Sequence, residues 1–205
     1  MFITFEGGEG SGKSTQIRRL AERLAAAGRD VVLTREPGGT PEAEAIRTLL
    51  VSGDVARWTA KAEALLNTAA REQHLEQVIR PALAQGKTVL CDRFMDSTRA
   101  YQGYAGGCDM NFIDALEQAV VGSTRPDLTL IFDLDPAVGL ARARSRGDHR
   151  SEDRYERKGM AFHQSLRAGF LEIQRNDPQR CKLIDASRDI ESVAADVWAA
   201  VSGAG

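Results

Sequence analysis

The sequence predicts a three-layer α/β fold, in which a five-stranded parallel sheet is flanked by helices. Short apolar runs alternate along the chain with segments whose apolar residues repeat at helical spacing, which is typical of crossover units between parallel strands. Two of these runs, Thr88–Asp92 and Leu128–Leu134, are apolar almost throughout. Strands buried on both faces have this composition, so helices are expected on both sides of the sheet.

The predicted elements follow this alternation in order. The strands are Phe2–Glu6, Asp30–Thr34, Thr88–Asp92, Leu128–Leu134 and the segment CKLID near the C-terminus. Helices are predicted from the phosphate-loop region to Gly28, from Pro41 to Leu50 with Thr40 as N-cap, over Lys61–Gln85 with a perturbation at Pro81, over Phe112–Val121, from Pro136 with Asp135 as cap, and over Ile190–Val201.

Length and composition indicate one soluble domain over residues 1–205. The formal net charge of -2 gives no electrostatic footprint for a nucleic acid, so no nucleic-acid partner is expected. No apolar stretch approaches a membrane span and the N-terminus does not resemble a signal peptide, which predicts a cytoplasmic protein without a membrane partner. The three cysteines lack metal-ligand spacing, and Cys91 is expected to be a buried, reduced thiol.

A glycine-rich motif follows the first predicted strand. Residues Gly7–Ser14, GGEGSGKS, satisfy G-x-x-x-x-G-K-[ST] and precede a helix. Such a loop points backbone N–H groups at phosphates, while Lys13 reaches the β- and γ-phosphates and the Ser14 hydroxyl can ligate Mg²⁺. A turn that only connects strand to helix would leave the Lys-Ser pair unexplained. The motif therefore predicts a P-loop NTPase fold that binds ATP through Gly8, Glu9, Gly10, Ser11, Gly12, Lys13, Ser14 and Thr15.

Asp92 and Arg93 close the third strand, at the carboxyl edge of the sheet where ligands bind in α/β folds. Asp92 is a candidate for the Mg²⁺ shell, and Arg93 for bridging two phosphates; an ion pair at the strand end is the alternative. The N-K-x-D motif of GTPases is absent. A small P-loop domain with an arginine-rich segment near its end favours a kinase that acts on a small acceptor.

Six motifs carry a closer resemblance. GGEGSGKST, TREPGGT, TAAREQH, DRFMDSTRAYQG, RPDLTLIFDLDP and SRGDHRSEDRYE resemble those of bacterial thymidylate kinase, within the P-loop nucleoside monophosphate kinase superfamily, and occur in that family's order. The resemblance implies transfer of the γ-phosphoryl group of ATP to dTMP, giving dTDP and ADP for dTTP synthesis, with Mg²⁺ as cofactor. It also implies a homodimer, through helices that include parts of 61–85 and 112–121, and adenine binding near the loop after Asp185.

The resemblance assigns acceptor-binding roles residue by residue. Glu9 would face the 3′-hydroxyl, Pro37 would line the base pocket and Arg71 would reach a thymine carbonyl. Arg47 and Arg93 would hold the acceptor, Arg93 through its phosphate. The complete acceptor set is Glu9, Pro37, Arg47, Asn67, Arg71, Arg93, Ser97, Thr98, Tyr101 and Gln102. Exposed helix arginines at 47 and 71, and a core tyrosine at 101, are the alternatives.

The segment 142–157 contains six arginines interleaved with acidic residues, a pattern that by itself indicates a solvated helix face with i,i+4 ion pairs. The resemblance instead makes it a short lid segment. Because the phosphate loop has no arginine, the lid is expected to supply the arginine that stabilises the transferring phosphoryl group. Arg154 matches best, followed by Arg150 and Arg146, so the predicted catalytic set is Lys13, Asp92, Arg93 and Arg154.

Two residues depart from the family pattern. Asn67 stands where an aromatic residue usually stacks on the base, and Phe94 follows Asp-Arg where many relatives have tyrosine. Phe94 could supply the missing stack. These departures leave open a kinase for another monophosphate, such as deoxyuridylate or a broader set. A regulatory module that senses ATP without phosphorylating a small molecule is the alternative from a different class.

Overall fold

The computed structural model describes residues 1–145 and 153–203, and it confirms the predicted sheet. Five parallel strands are arranged in the order β2-β3-β1-β4-β5. Their bounds are Phe2–Gly7 for β1, Val31–Arg35 for β2, Thr88–Asp92 for β3, Leu128–Asp133 for β4 and Cys181–Asp185 for β5. Each agrees with a predicted strand to within one residue at either end.

Helices cover both faces of this sheet. They are α1 Lys13–Ala26, α2 Pro41–Val51, α3 Ala60–His74, α4 Arg80–Ala84, α5 Met95–Thr98, α6 Met110–Val120, α7 Pro136–Ser145, α8 Met160–Asn176 and α9 Ile190–Ser202. The Thr40 hydroxyl caps α2 by accepting from Ala43 N at 3.2 Å, as the sequence predicts.

The long helix predicted over 61–85 consists of α3, a π-helical turn at Leu75–Ile79, and α4. The wider turn lies directly before Pro81, which has no N–H to donate to the preceding turn. A second π-helical turn, Arg99–Tyr104, directly follows α5. The irregular backbone therefore lies within helical runs and does not interrupt them.

Helix α8 is missing from the elements predicted above. Its apolar residues Leu166, Phe170 and Ile173 repeat at helical spacing and are buried against β4 and β5. This periodicity is visible in the sequence and is the signal that identifies the helix. This helix supplies His163 and Arg167 to the region beside the phosphate loop.

The core lies on both sides of β1, the central strand. On one side Ile3 and Phe5 pack with α1 and α9, and on the other Phe2 packs with residues 75–95. Cys91 is buried and carries a free thiol, as predicted. Within residues 1–145 and 153–203, no helix combines the length and apolar character that crossing a membrane requires. The packed sheet presents the ends of β1, β3 and β4 at one edge.

Candidate active site

The phosphate loop connects β1 to α1 at this edge. Gly7, Gly10 and Gly12 have φ values of 137°, 66° and 86°, a region that other residues rarely adopt. A Cβ at Gly10 would also lie 2.0 Å from the carbonyl oxygen of Gly139 in α7. All three positions therefore favour glycine through their backbone conformation, and Gly10 is also required by the close approach of α7.

Lys13 is folded over this loop. Its Nζ donates to the carbonyl oxygens of Gly7 at 3.0 Å and Gly8 at 2.9 Å, and to the Ser11 hydroxyl at 3.2 Å. Burial, followed by the positive charge of Arg93, lowers the pKa of Lys13 to about 8. The ammonium group thus lies where phosphate oxygens would meet the loop, and it holds its charge at neutral pH.

Ser14 and Asp92 meet across the mouth of the loop, where the Ser14 hydroxyl donates to Asp92 Oδ2 at 3.0 Å. An alcohol and a carboxylate oxygen are hard donors of the kind that Mg²⁺ accepts. No cluster of three or more His, Cys, Asp or Glu side chains that could hold a metal by itself occurs in the described ranges. The pair therefore suits Mg²⁺ that takes its remaining ligands from water and phosphate.

Glu9, Arg93 and Tyr101 join the loop to a second cavity. Arg93 Nη1 donates to Gly7 O at 2.9 Å, and its Nη2 donates to Glu9 Oε1 at 3.1 Å. The Tyr101 hydroxyl donates to the same Glu9 oxygen at 2.6 Å. Burial raises the pKa of Glu9, but Arg93, Lys13 and the Tyr101 hydroxyl outweigh it and bring the pKa to about 2. Glu9 is therefore a fixed carboxylate acceptor at the boundary between the two regions.

The second cavity opens to solvent beside Glu9 and Arg93 and has a volume of about 110 Å³. We call it the acceptor cavity. The ten residues predicted to bind the acceptor all line it, together with four that the prediction did not include. The lining residues are Glu9, Glu36, Pro37, Arg47, Val51, Asn67, Arg71, Arg93, Ser97, Thr98, Tyr101, Gln102, Tyr155 and Glu156.

Arg71 is held by a buried network and is not an exposed helix arginine. Its Nε donates to Glu36 Oε2 at 2.8 Å and its Nη2 to Thr98 Oγ1 at 3.0 Å. His74 Nδ1 lies 3.0 Å from the other Glu36 oxygen, and its Nε2 lies 2.6 Å from Thr34 Oγ1. Glu36 belongs to the TREPGGT motif, so its position was visible in the sequence although its role was not.

Phe94 does not supply the missing aromatic face. It is fully buried, its ring packs edge-on against Phe2 at 5.0 Å, and it does not belong to the cavity lining. The Arg71 guanidinium lies 5.1 Å from the Phe94 ring centroid, so Phe94 supports Arg71. Asn67 faces the cavity with its Nδ2 bonded to Glu63 O at 2.8 Å. The suggestion that Phe94 replaces the stack is wrong.

Glu6 is a further buried carboxyl group that sequence reasoning missed. It accepts hydrogen bonds from Phe94 N at 2.8 Å and from the Ser97 hydroxyl at 2.5 Å. Of these two residues, Ser97 lines the acceptor cavity. Burial, followed by the nearby Asp96 carboxylate, raises the pKa of Glu6 to about 8. The only sequence signal was a glutamate at the end of an apolar strand.

The structure corrects the role predicted for Arg154. This side chain is fully buried, and its three nitrogens donate to Asp54 O at 3.0 Å, Leu50 O at 2.9 Å and Val55 O at 3.1 Å, and also to Glu63. A guanidinium committed to these groups anchors the end of the segment 142–157 to α2, α3 and the loop between them, which argues against a role in phosphoryl transfer. The other two candidates, Arg150 and Arg146, lie outside the described residues.

A phosphate loop and an acceptor cavity that share Glu9 and Arg93 define a P-loop kinase for a small phosphorylated acceptor. The family model described as Thymidylate kinase matches residues 5–197. The chain therefore belongs to the thymidylate kinase family.

Individual relatives agree over almost the full chain. It is 60% identical to a thymidylate kinase of Caulobacter vibrioides, over 96% of this chain and 93% of the relative. It is 55% identical to one of Ruegeria pomeroyi, over 96% and 92%. A crystal structure of thymidylate kinase from Ehrlichia chaffeensis superposes with a TM-score of 0.80 at 39% identity and covers 98% of both chains.

Proposed function

We propose that this protein transfers the γ-phosphoryl group of ATP to dTMP, giving dTDP and ADP for dTTP synthesis. The observation that carries the proposal is the position of Arg93, which donates to Gly7 O of the phosphate loop and to Glu9 of the acceptor cavity. One guanidinium can thus contact phosphates that enter from either side. The family relationship supports thymidylate as the acceptor.

On the donor side, Lys13 and the loop N–H groups hold the β- and γ-phosphates. Ser14 and Asp92 would hold Mg²⁺, which offsets phosphate charge when bound. Helix α7 contacts the loop that the family resemblance assigns to adenine, because Arg142 Nη1 donates to Ala186 O at 3.2 Å. These groups orient ATP with its γ-phosphate toward Arg93.

On the acceptor side, Arg93 binds the phosphate and Arg71 donates to a thymine carbonyl. Glu9 accepts from the 3′-hydroxyl, since its lowered pKa keeps it ionised. Pro37, Arg47, Asn67, Ser97, Thr98, Tyr101 and Gln102 complete the surface that contacts base, sugar and phosphate. No general base is required, because the acceptor phosphate, with a second pKa near ~6, is already ionised at neutral pH. Positioning and charge stabilisation then account for catalysis.

We propose that Arg150 or Arg146 supplies the guanidinium that stabilises the transferring group. We expect alanine at the responsible position to lower kcat about 10²–10³-fold with little change in the KM for ATP, as when a preorganised transition-state donor is removed. Single-turnover rates of the two variants distinguish them. Unchanged rates in both would leave Arg93 and Lys13 as the cations that act in transfer.

We propose that the protein is a homodimer and that it is cytoplasmic. Helices α3 and α6 lie side by side, with Lys61 Nζ 4.5 Å from the Phe112 ring centroid, and Leu65 on α3 is 48% exposed. An apolar side chain on this face supports its use as the dimer contact. Light scattering should give twice the chain mass, and Leu65→Glu should shift the protein toward monomer.

ADP release with Mg²⁺-ATP and a panel of deoxynucleoside monophosphates tests the function. Strong preference for dTMP is expected. Similar rates with dUMP or other monophosphates would favour a kinase of broader specificity. Asn67 supports this second candidate, because a polar side chain stands where the family usually has an aromatic residue that stacks on the base. ATP binding without turnover of any monophosphate would favour a regulatory module and overturn the proposal.

A further inference from the structure

Glu63 is a buried carboxylate beside the acceptor cavity that is not among the cavity's lining residues. It is 1% exposed and lies on α3, four residues before Asn67 and eight before Arg71. Residues at this spacing share one face of a helix, so Glu63 continues the face that presents the two cavity residues.

Four donors from two other segments converge on Glu63. Gln102 Nε2 and the Tyr155 hydroxyl donate to Oε2 at 2.8 Å and 3.1 Å. Arg154 donates to Oε1, and Lys158 Nζ lies 3.6 Å from the same oxygen. Only an ionised carboxylate offers two acceptor oxygens and no donor, so the cluster requires the charged side chain and not merely its shape.

Glu63 fixes the amide orientation of Gln102. Gln102 Nε2 donates to Glu63 and approaches the Tyr155 hydroxyl at 3.3 Å. With the NH₂ group committed to these two partners, the amide oxygen is the group that Gln102 can present to an acceptor molecule. Without the carboxylate, the amide could turn over and present a donor instead.

Glu63 also fixes Tyr155, which forms another wall of the cavity. Burial, followed by the Glu63 charge, raises the pKa of Tyr155, so its phenol stays protonated and donates. The Tyr155 ring packs edge-on against Tyr101 at 5.4 Å, and Tyr101 donates to Glu9. The carboxylate is thereby linked through two rings to the residue proposed to face the 3′-hydroxyl.

We propose that Glu63 is a positioning residue for the acceptor nucleotide, acting through Gln102 and Tyr155, while its pairing with Arg154 anchors residues 153–158 to α3. The inference rests on the proposed function, since it assumes that the acceptor occupies this cavity. ATP binds at the phosphate loop, to which Glu63 makes no contact among the described residues. Loss of the carboxylate should therefore affect the two substrates unequally.

The test is Glu63→Gln, which keeps the shape and removes the charge. We expect the KM for dTMP to rise about tenfold or more, because a hydrogen bond to a charged group is lost, while the KM for ATP stays within about twofold. Glu76→Gln, an exposed change on the helical run that continues α3, is the matched control and should change neither constant. A folded Glu63→Gln protein with unchanged KM for dTMP, or with both KM values raised equally, would overturn the proposal.

Tyr155→Phe keeps the test decisive if Glu63→Gln fails to fold, since it leaves Arg154 paired. It should raise the KM for dTMP about three- to tenfold. If both variants fold, the double variant should be no worse than Glu63→Gln alone, because the hydroxyl acts through the carboxylate. A Tyr155→Phe protein with unchanged KM, or multiplicative effects in the double variant, would contradict the inference. Absence of dTMP turnover in the wild-type protein would instead contradict the proposed function.

Discussion

The phosphate loop and the acceptor cavity share Glu9 and Arg93 but are built differently. The loop is one continuous segment whose shape follows from its glycines and whose contacts are made mainly by backbone atoms. The cavity gathers side chains from the phosphate loop, the segment after β2, α2, α3, residues 93–102 after β3 and residues 155–156. Arg71 is held by the buried Glu36 carboxylate and Arg93 by the half-buried Glu9 carboxylate. Changes in the loop should therefore affect chemistry, whereas changes around the cavity should affect folding and binding together.

The largest effect is expected from Arg154→Met. Removing this arginine leaves Glu63 buried without its main partner, which should lower the free energy of unfolding by about 3–5 kcal/mol. Urea unfolding measures the change. Arg157→Met, on an exposed pair with Asp153, is the control and should cost under about 1 kcal/mol. Normal stability with strongly reduced turnover in Arg154→Met would restore the transfer role predicted from the sequence.

Lys13→Ala should show the opposite behaviour. Loss of the ammonium group should lower kcat about 10²–10³-fold, while the midpoint of thermal unfolding changes little because Lys13 bonds chiefly to loop carbonyls. Rapid-quench kinetics and calorimetry measure the two quantities, with Lys87→Ala as a control away from the loop. Loss of stability comparable to that of Arg154→Met would remove the contrast between the regions.

The raised pKa of Glu6 predicts a pH dependence of stability. A folded-state pKa of about 8 against an ordinary 4.5 means that the stability from this group is complete below 4.5 and is lost as pH rises through 8. The free energy of unfolding should fall by about 1–3 kcal/mol over this window, less than the full shift allows. Glu6→Gln should flatten this decline in urea titrations, and exposed Glu22→Gln should not. An equally steep decline in Glu6→Gln would show that another group titrates.

The smallest effect is expected at Asn67. Phenylalanine there should stack on the base and strengthen dTMP binding by about 1 kcal/mol, the low end for nucleobase stacking. The KM for dTMP should fall accordingly. Asn67→Ala separates the gain of the ring from the loss of the amide, whose Nδ2 bonds to the helix backbone. A raised KM in Asn67→Phe would show that the amide itself contacts the base.

The sequence predicted those features of the fold and the site that depend on residues close together in the chain. The strands follow from periodicity, the phosphate loop from a motif, and the ten residues that line the cavity from a family resemblance carried by contiguous residues. That these ten residues bind the acceptor stays a prediction. The sequence did not predict Glu63 as the partner of Arg154, because that pair joins residues 91 apart and neither side chain differs locally from an exposed helix residue. Arg154 was misassigned for the same reason, since an arginine's partners decide whether it anchors the fold or meets a phosphate.

The central claim is that the cavity beside the phosphate loop selects thymidylate as acceptor. The most direct measurement incubates the protein with γ-phosphate-labelled ATP and an equimolar mixture of dTMP, dUMP, dCMP, dGMP and dAMP, and separates the labelled products. Label should appear almost entirely in dTDP. Label distributed among several diphosphates, or retained in ATP and inorganic phosphate, would contradict the claim.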